Sequence, residues 1–428
     1  MKKIAVIGAG ISGLACAHEL QKAGMEVVVF EKNARVGGRM ATRVKDGLYF
    51  DVGATHLSNT YTEMVQYCNE LNIPWERIRF LRYQVYRNGE LPPLMKTVGF
   101  IPLMRLFFYM AFLKKKSIDF FDLTTCKEFD TDNAYDYMVR KCGQEATDYI
   151  ADPFISTYEL HQTSRISKAA LLALQISTKY HRADWYLHRT TGGMSTLPEV
   201  LASKLTVHKN TAVNRVEAMK DHVEITTTEK LKFDAVVCAT TANIAKEILI
   251  NPTQEQLSLL GKAKYSKGIS VAFTVPVGTL GKSAMFWVPY KENQFISGYA
   301  NEEMKGEQSI HNGRSLLCVW LHASFAEQLM NKTDEEIFFS VKKEFLKVCP
   351  LITDESLIQN HDLQRWNEAM PGYYHGYITK VSAFLENGQG KNNIFLCGDY
   401  LNSPWTEGAL RCGKRVAQTI IEKHGIND

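Results

Sequence analysis

The hydrophobic and polar residues at the start of the chain follow two different periods. Residues 4–7 and 27–30 are continuous apolar runs of the length of a β-strand. Between them, apolar side chains recur at helical spacing, at Leu14, Ala17, Leu20 and Ala23. Gly24 ends the predicted helix. The pattern predicts a strand, a helix and a second strand, which is how a parallel α/β sheet begins.

Two long stretches in the middle of the chain show other patterns. The first, about 81–189, is predicted to be helical, with a second apolar run suited to a helix at 169–176. Its clearest helical face consists of Ala134, Tyr137, Met138 and Cys142. The second stretch, about 246–384, predicts strands at 269–275 and 316–321 and an amphipathic helix at 334–348.

Three glycines separate the first predicted strand from the first predicted helix. Gly8 permits a tight turn, Gly10 lets the backbone approach a pyrophosphate, and Gly13 lets the helix pack closely on the strand. The N-terminus of that helix presents N–H groups to phosphates. Glu31, directly after the second strand, can accept hydrogen bonds from ribose hydroxyls and would repel the extra phosphate of NADP. Strand, helix and acid stand where the motif requires them, which predicts a dinucleotide site.

Two further segments narrow the choice of dinucleotide. Residues 33–39 carry paired glycines followed by Arg39, where backbone N–H groups can approach a ligand and a guanidinium can bridge phosphate or flavin oxygens. A simple surface turn is the alternative interpretation of that segment. Near the other end, an apolar strand at 394–397 precedes Gly398 and Asp399, and a helix with small residues begins after 405.

Together these motifs resemble the flavin amine oxidase superfamily, which includes protoporphyrinogen oxidases, amine oxidases and phytoene-desaturase-like enzymes. The resemblance extends to residues 51–56, which match a loop along the flavin ring, and to 192–194, which open a helix returning to the cofactor domain. Residues 211–213 match the start of a strand on the adenine side, and 398–399 match a pair that meets the ribitol and pyrophosphate. The last helix would point its N-terminus at the flavin pyrimidine edge, which favours negative charge there.

The resemblance implies an α/β fold with a Rossmann-type FAD-binding domain of the GR2 kind, assembled from three segments. We expect these segments at 1–80, 190–245 and 385–428, with an inserted α+β substrate domain formed by 81–189 and 246–384. The resemblance assigns the following residues to non-covalently bound FAD: Gly8, Ala9, Gly10, Ile11, Ser12, Gly13, Glu31, Lys32, Gly37, Gly38, Arg39, Gly53, Ala54, Thr55, His56, Val213, Gly398, Asp399, Pro404, Trp405, Thr406 and Ala409.

The substrate side is predicted from aromatic residues. Trp366, Tyr373, Tyr374 and Trp405 match the walls of an aromatic cage in the family, although core packing is the alternative for each. Amine oxidases of the family hold a lysine near the flavin, whereas here Ile269 occupies that position and Lys267 lies two residues earlier. Segments 82–92 and 369–376 resemble protoporphyrinogen oxidases, which favours a bulky apolar or aromatic substrate. The catalytic residues stay unassigned.

Composition excludes several classes of protein. With a net charge of +4 among 428 residues, the chain lacks the basic excess of a nucleic-acid-binding protein. Its 9 cysteines form no CxxC pair, which predicts buried reduced thiols rather than disulfides or a metal site. No leader-like segment precedes the first strand, so we expect a cytoplasmic protein. The apolar segment 98–116, ending in three lysines, is interpreted either as a buried wall or as a peripheral membrane contact.

Alternatives to this function remain open at this point. An amine oxidase is the second enzyme reading, and oxygen or a quinone would serve as electron acceptor in either case. A non-catalytic carrier similar to the Rab GDP-dissociation inhibitors would need no flavin. A sugar-ring mutase would use flavin without net redox chemistry. The interpretation also allows a homodimer.

Overall fold

The computed structural model describes residues 1–78, 82–114, 117–181 and 186–424. Lys115 and Lys116 of the predicted membrane-contact segment therefore lie outside the described residues. The α-helices are α1 (Ile11–Lys22), α2 (Thr62–Glu70), α3 (Phe100–Phe112), α4 (Ala134–Cys142), α5 (Gln144–Ala146), α6 (Asp152–Tyr158), α7 (Lys168–His181), α8 (Thr196–Ser203), α9 (Ala242–Ile248), α10 (Gln254–Leu260), α11 (Ala323–Leu329), α12 (Asp334–Leu346), α13 (Tyr377–Asn387) and α14 (Thr406–His424).

The strands are β1 (Lys3–Ile7), β2 (Glu26–Phe30), β3 (Thr42–Lys45), β4 (Leu48–Asp51), β5 (Leu57–Ser58), β6 (Trp75–Arg77), β7 (Tyr83–Val85), β8 (Leu187–Thr190), β9 (Thr206–His208), β10 (Arg215–Ala218), β11 (Val223–Thr226), β12 (Lys230–Phe233), β13 (Ala235–Cys238), β14 (Leu249–Ile250), β15 (Gly268–Pro276), β16 (Met285–Trp287), β17 (Ile296–Asn301), β18 (Ile310–His311), β19 (Arg314–Leu321), β20 (Gln359–Trp366) and β21 (Ile394–Leu396). Short 3₁₀ turns connect several of them, including Glu302–Lys305 after β17 and Asp399–Leu401 after β21.

A five-stranded parallel sheet forms one half of the molecule, in the order β21-β13-β1-β2-β9. Its strands come from the start, the middle and the end of the chain. Because both faces of a parallel sheet are covered, β1 and β13 are apolar throughout their buried length. Helices α1 and α14 approach each other closely, since a Cβ atom on Gly413 would lie 2.2 Å from the Ser12 carbonyl oxygen. The parallel α/β sheet predicted from the sequence is confirmed.

A larger sheet forms the other half, with seven strands in the order β20-β15-β19-β17-β16-β7 and β18 added beside β19. Its pairings are antiparallel except for the parallel pair β16 and β7. Helix α12 buries Ile337, Val341 and Phe345 in the same hydrophobic cluster as β15 and β19. A capping box between Thr333 and Glu336 begins that helix.

Smaller sheets complete the described structure. Strands β12-β11-β10-β14 form one, β5-β8-β6 form another, and β3 pairs with β4 as a hairpin. The predicted strands at 269–275 and 316–321 and the predicted helices at 134–142, 169–176 and 334–348 are all found. All 9 cysteines are buried and unpaired, as predicted. Within the described residues, no helix combines the length and apolar character needed to cross a membrane. The division into two domains, with its four boundaries along the chain, stays a prediction.

Candidate functional site

The glycine-rich turn between β1 and α1 has the shape that its sequence predicts. Gly8 has a φ of +103°, and its N–H donates to the Phe30 carbonyl at 2.8 Å, which closes the turn onto β2. A Cβ atom on Gly13 would lie 2.1 Å from the Gly8 carbonyl oxygen, so only glycine allows α1 to start here. Gly10 differs, because a Cβ atom there would meet no protein atom within 4 Å. The turn is thus tightly packed on the protein side and open at Gly10.

A second glycine turn is joined to the first. The Gly37 N–H donates to the Ala9 carbonyl at 2.8 Å. A Cβ atom on Gly38 would lie 3.5 Å from the Gly10 Cα. Both glycines have positive φ, which residues with a side chain rarely adopt. The two turns therefore present adjacent stretches of bare backbone at the N-terminus of α1, where N–H groups and the helix dipole favour an anion.

Glu31 lies at the end of β2 and is buried. One carboxylate oxygen accepts from the Ala9 N–H at 2.9 Å, and the other accepts from the backbone and side-chain nitrogens of Asn33 at 2.9 and 2.7 Å. A carboxylate offers about four acceptor positions, so capacity remains for ribose hydroxyls. The segment leading to Val213 lies alongside, because the Thr211 N–H donates to the Glu31 carbonyl at 2.8 Å.

Arg39 and Asp399 connect the start and the end of the chain. The two guanidinium nitrogens contact the two carboxylate oxygens at 2.9 and 3.0 Å, and one nitrogen also donates to the Ala369 carbonyl at 2.9 Å. A bidentate pair of this kind fixes geometry as well as charge. Gly398, directly before Asp399, has a φ of +153°, and a Cβ atom there would lie 2.8 Å from the Tyr400 ring. Predicted cofactor residues far apart in sequence are therefore brought together.

The loop at 51–56 is supported by buried charges. Asp51 accepts from the Thr42 hydroxyl at 2.7 Å and from the Met194 N–H at 3.1 Å. Its other oxygen lies 3.5 Å from the Lys305 ammonium and 3.8 Å from the Arg189 guanidinium. Lys305 also contacts Glu302 at 2.7 Å and donates to the Thr55 carbonyl at 2.9 Å. We call Asp51, Arg189, Glu302 and Lys305 the buried charge cluster, and each is at most 9% exposed.

This cluster was not predicted from the sequence. Its members lie on β4, on β8 and in the turn after β17, so apart from the i, i+3 pair of Glu302 and Lys305 no local spacing links them. It holds two acids and two bases, which balance each other inside the protein. Through Lys305 it fixes the backbone of Thr55, one of the predicted cofactor residues. The same loop is pressed against Arg39, since a Cβ atom on Gly53 would lie 2.1 Å from the Arg39 carbonyl oxygen.

His56 ends this loop and faces a cavity. Burial, with a smaller contribution from the Lys305 charge, lowers the pKa of His56 to about 3. The imidazole is therefore neutral at physiological pH, and its Nδ1 lies 2.9 Å from the Thr55 hydroxyl. A neutral ring suits an apolar environment, because no charge has to be removed from water.

The cavity has a predominantly aromatic wall. Besides His56, six aromatic side chains line it: Tyr61, Tyr83, Phe120, Phe154, Tyr158 and Trp405. The remaining lining residues are apolar or carry hydroxyl groups: Ser58, Thr60, Leu174, Ser177, Thr178 and Leu187. No aspartate, glutamate, lysine or arginine is among the described residues that line it. This lining suits an apolar group held against aromatic faces.

Of the predicted substrate residues, Trp405 lines this cavity and the other three lie elsewhere. The Trp366 indole N–H donates to the Val52 carbonyl at 2.9 Å, beside the loop at 51–56. Tyr373 is buried, with its hydroxyl donating to the Asp399 carbonyl. Tyr374 is half-buried, and Lys264 lies over its ring at 5.4 Å. The role of these residues in binding substrate stays a prediction.

Sequence reasoning missed most of the cavity wall. Phe120 lies 5.6 Å from Trp405 and Tyr158 lies 6.4 Å from it, measured between ring centroids. Phe154 and Tyr158 stand on α6, one helical turn apart, and this i, i+4 spacing of aromatics was the available signal. In a single sequence that spacing also fits ordinary core packing.

A buried carboxyl group next to Trp405 was also missed. Glu159 follows α6 and is 4% exposed. Burial raises its pKa to about 8, against a smaller lowering by the neighbouring Trp405 indole. Glu159 is thus a carboxylic acid that stays mostly protonated at pH 7.

The start of the last helix is anchored by another buried acid. Glu407 accepts from the N–H groups of Glu63 and Met64 at 3.0 and 2.9 Å, which caps α2, and from Arg411 at 2.7 Å. Gly408 is required, since a Cβ atom would lie 2.1 Å from the Ser403 hydroxyl oxygen. The predicted residues Pro404, Thr406 and Ala409 surround this start, with Pro404 and Ala409 buried.

The remaining predicted cofactor residues lie around the glycine turns. Ile11 and Ser12 begin α1 and are buried, Lys32 is exposed beyond Glu31, and Ala54 donates its N–H to the Arg39 carbonyl at 3.0 Å. These residues fit a flavin dinucleotide: an open backbone turn for a pyrophosphate, an acid for a ribose, and an aromatic cavity beyond the loop at 51–56. The fold and this arrangement are those of the class of proteins that bind a flavin dinucleotide.

Comparison with known proteins assigns the family. The sequence profile of the flavin-containing amine oxidoreductases matches residues 11–421. The chain belongs to this family, as its motifs predicted. The solved structure of a protein from Exiguobacterium sp. 255-15, provisionally assigned as a protoporphyrinogen oxidase, superimposes with a TM-score of 0.82 and 14% identity over 99% of both chains. At that identity the likeness concerns the fold alone.

Curated relatives match over shorter lengths. Protoporphyrinogen oxidase 2 of Arabidopsis thaliana is 30% identical over 168 residues, which is 36% of this chain and 32% of the relative. A 4,4'-diapophytoene desaturase of Staphylococcus aureus (strain bovine RF122 / ET3-1) is 45% identical over 83 residues, which is 19% of this chain and 16% of the relative. The matched region thus spans a third or less of these relatives.

Proposed function

We propose that this protein binds FAD non-covalently and removes hydride from a bulky apolar or aromatic substrate, protoporphyrinogen-oxidase-like by preference. Oxygen or a quinone would reoxidise the cofactor. The aromatic cavity carries the proposal, because its described lining holds no charged carboxylate or amine that would hold a polar substrate. It lies directly beyond His56, at the end of the loop that we assign to the flavin ring.

A bound flavin would supply the hydride-accepting chemistry. The protein residues would bind, orient and keep water away. Arg39, fixed by Asp399, would face the phosphates or flavin oxygens, and Glu31 would bind the adenosine ribose. Trp405 and Tyr158 would hold a flat substrate in the cavity, where neutral His56 adds no charge. The buried charge cluster would keep Thr55 and its neighbours in place.

Three further properties belong to the same proposal. None of the 9 cysteines is among the residues that we assign to FAD, which supports a non-covalent cofactor. The FAD-binding domain would comprise 1–80, 190–245 and 385–428, and the substrate domain the two stretches between. We also propose a cytoplasmic location with peripheral membrane contact through 98–116, and a homodimer is compatible with it.

The visible absorption spectrum of the purified protein tests the cofactor. We expect flavin bands, and FAD rather than FMN in the supernatant after heat release. Gly10→Ala should weaken FAD binding by at least about tenfold, because the new methyl group occupies open space beside the proposed pyrophosphate. The fold should be unaffected, since φ at Gly10 is −72°. Gly99→Ala is the matched control, because Gly99 also caps a helix at a φ of −63° without side-chain help.

A colourless protein that does not take up added FAD would refute the proposal and support the carrier alternative. Anaerobic bleaching of the flavin then identifies the substrate class. We expect bleaching by a porphyrinogen or a polyene and none by benzylamine or putrescine. Activity that appears only after chemical reduction, without net oxidation of the substrate, would indicate a mutase instead.

One observation favours an amine oxidase as the second candidate. Glu159, beside Trp405, is a buried acid with no cation near enough to hold it ionised among the described residues. An ammonium substrate would provide that cation and lower the pKa of the carboxyl group. If amines bleach the flavin, Glu159→Gln should raise KM for amines by at least about tenfold, because the buried acid that follows the cavity-lining Tyr158 can then no longer ionise to balance an ammonium group. If the protein is a porphyrinogen oxidase, Glu159→Gln should leave KM for the porphyrinogen unchanged.

A further inference from the structure

Helix α3 turns an apolar face outward. Five large hydrophobic side chains on it are more than half exposed: Phe100 77%, Ile101 72%, Phe107 61%, Phe108 52% and Phe112 78%. Their positions follow the i, i+1, i+7, i+8, i+12 series of one helical face. The opposite face holds Leu103, Leu106 and Tyr109 against the protein. Soluble monomers rarely expose a continuous apolar stripe of this size.

A groove runs beside this face, between α3, α4 and α7. Its apolar lining includes Phe108, Phe112, Leu172 and Ile176. Four cationic side chains border it: Arg105, Lys114, Lys141 and Lys168. None of the four forms an ion pair with any residue that the structure describes. The groove therefore combines an apolar interior with a positively charged rim.

We propose that α3 and this groove form a binding site for an anionic phospholipid bilayer, with the headgroup on the cationic rim and an acyl chain along the groove. The charges identify the occupant. An apolar stripe alone would accept any hydrophobic partner, but four cations at its edge match the negative surface of a membrane, which attracts basic residues close to it. With 13 residues, α3 extends about 20 Å, so it lies in the interface rather than across it.

A second copy of the chain fits this face less well. In a two-fold contact the same patch would meet itself, which would bring the four cations of each copy toward those of the other. Repulsion between like charges in a contact from which water is excluded opposes that arrangement. Dimerisation through this face would therefore overturn the proposal.

Helix α7 separates the groove from the aromatic cavity. Leu172 and Ile176 line the groove, whereas Leu174, Ser177 and Thr178 line the cavity. An apolar substrate dissolved in the bilayer would thus reach the cavity across the thickness of one helix. This last step rests on the proposed function, while lipid binding does not depend on any activity.

Flotation of the flavin-loaded protein with vesicles tests the site. Phosphatidylcholine vesicles are compared with vesicles containing about 30% phosphatidylglycerol, at low and at high salt. We expect at least about tenfold stronger binding to the anionic vesicles, lost at high salt. Lys141→Glu with Lys168→Glu, and separately Phe107→Ser with Phe112→Ser, should each reduce binding by about tenfold or more.

Matched controls exist elsewhere on the surface. Phe339→Ser removes a phenylalanine that is 72% exposed on α12, and Lys246→Glu reverses an exposed lysine on α9. Both should leave vesicle binding unchanged. Equal binding of the α3 variants and the wild type, or absence of binding to anionic vesicles, would overturn the proposal. So would a dimer, seen by light scattering, that Phe107→Ser with Phe112→Ser dissociates. Bleaching of the flavin by a substrate in solution is measured without vesicles. Failure of the proposed function can therefore be distinguished from failure of the proposed lipid site.

Discussion

Replacing Lys305 by methionine removes one charge from the buried charge cluster while keeping most of the side-chain volume. Three oxygen atoms lose their cation: the Glu302 carboxylate at 2.7 Å, the Asp51 carboxylate at 3.5 Å and the Thr55 carbonyl at 2.9 Å. Both acids are almost fully buried, and Arg189 stays 3.8 Å from Asp51. Water cannot readily replace the ammonium, so the variant carries an uncompensated negative charge.

Breaking a buried ion pair by removing one partner costs about 3–5 kcal/mol. For a chain of 428 residues, the entropy of unfolding at about 2.1 cal/mol/K per residue amounts to roughly 0.9 kcal/mol/K. We therefore expect Lys305→Met to lower Tm by about 3–6 °C. FAD affinity should fall as well, because Thr55 loses the donor that fixes its carbonyl.

Calorimetry of the flavin-free protein and titration with FAD measure the two effects. Lys347→Met is the matched control, since Lys347 contacts Glu344 at 2.8 Å but its side chain is 55% exposed. A pair on the surface contributes about 0–1 kcal/mol, so the control should shift Tm by about 1 °C or less. Adding Glu302→Gln to Lys305→Met should recover part of the loss. If Lys305→Met and Lys347→Met behave alike, the buried cluster does not support the loop as argued.

Three other predictions follow from the site. Gly13→Ala should destabilise the flavin-free protein, unlike Gly10→Ala, because a Cβ atom on residue 13 would lie 2.1 Å from the Gly8 carbonyl oxygen. We expect a lower Tm for Gly13→Ala, and an unchanged Tm would contradict this. Burial raises the pKa of Glu159 from 4.5 to about 8, so the folded state keeps a proton that the unfolded state releases, and stability should fall as pH rises from about 4.5 to 8. In denaturant titrations, Glu159→Gln should make the free energy of unfolding depend less on pH in that range. If the dependence on pH is unchanged in the variant, other groups cause it. Trp405→Ala should raise KM by at least about tenfold and Trp405→Phe by much less, if the aromatic face rather than the indole N–H binds the substrate; equal effects would contradict this.

The sequence predicted the parts of the fold whose signals are local. The turn from Gly8 to Gly13 and the acid at Glu31 are recognisable because strand, turn and helix follow one another within a few tens of residues. The strands and helices of the second half were likewise predicted from their own periodicity. The predicted cofactor residues at 398–409 were assigned by resemblance. The contact between Asp399 and Arg39 became visible only in the structure, because 360 positions separate them.

What the sequence did not predict depends on contacts between distant segments. Lys305 is one of many lysines in the chain, and nothing near it in sequence indicates that it is buried against Asp51. The aromatic residues were ambiguous for a related reason. Tyr373 and Tyr158 are equally aromatic, yet the structure buries Tyr373 under Asp399 and places Tyr158 in the cavity wall. Only three-dimensional packing distinguishes a wall residue from a core residue.

The bond between Arg39 and Asp399 also constrains how the protein is made. The first strand of the parallel sheet, β1, is synthesised well before β21, and Arg39 is synthesised 360 residues before Asp399. At about 5–20 residues per second, β1 waits on the order of 20–80 seconds for that end of the sheet. Throughout this interval Arg39 and the glycine turns beside it exist without Asp399. Shortening the chain before residue 394 should therefore leave a nascent protein that cannot retain its cofactor, however complete the rest of it is.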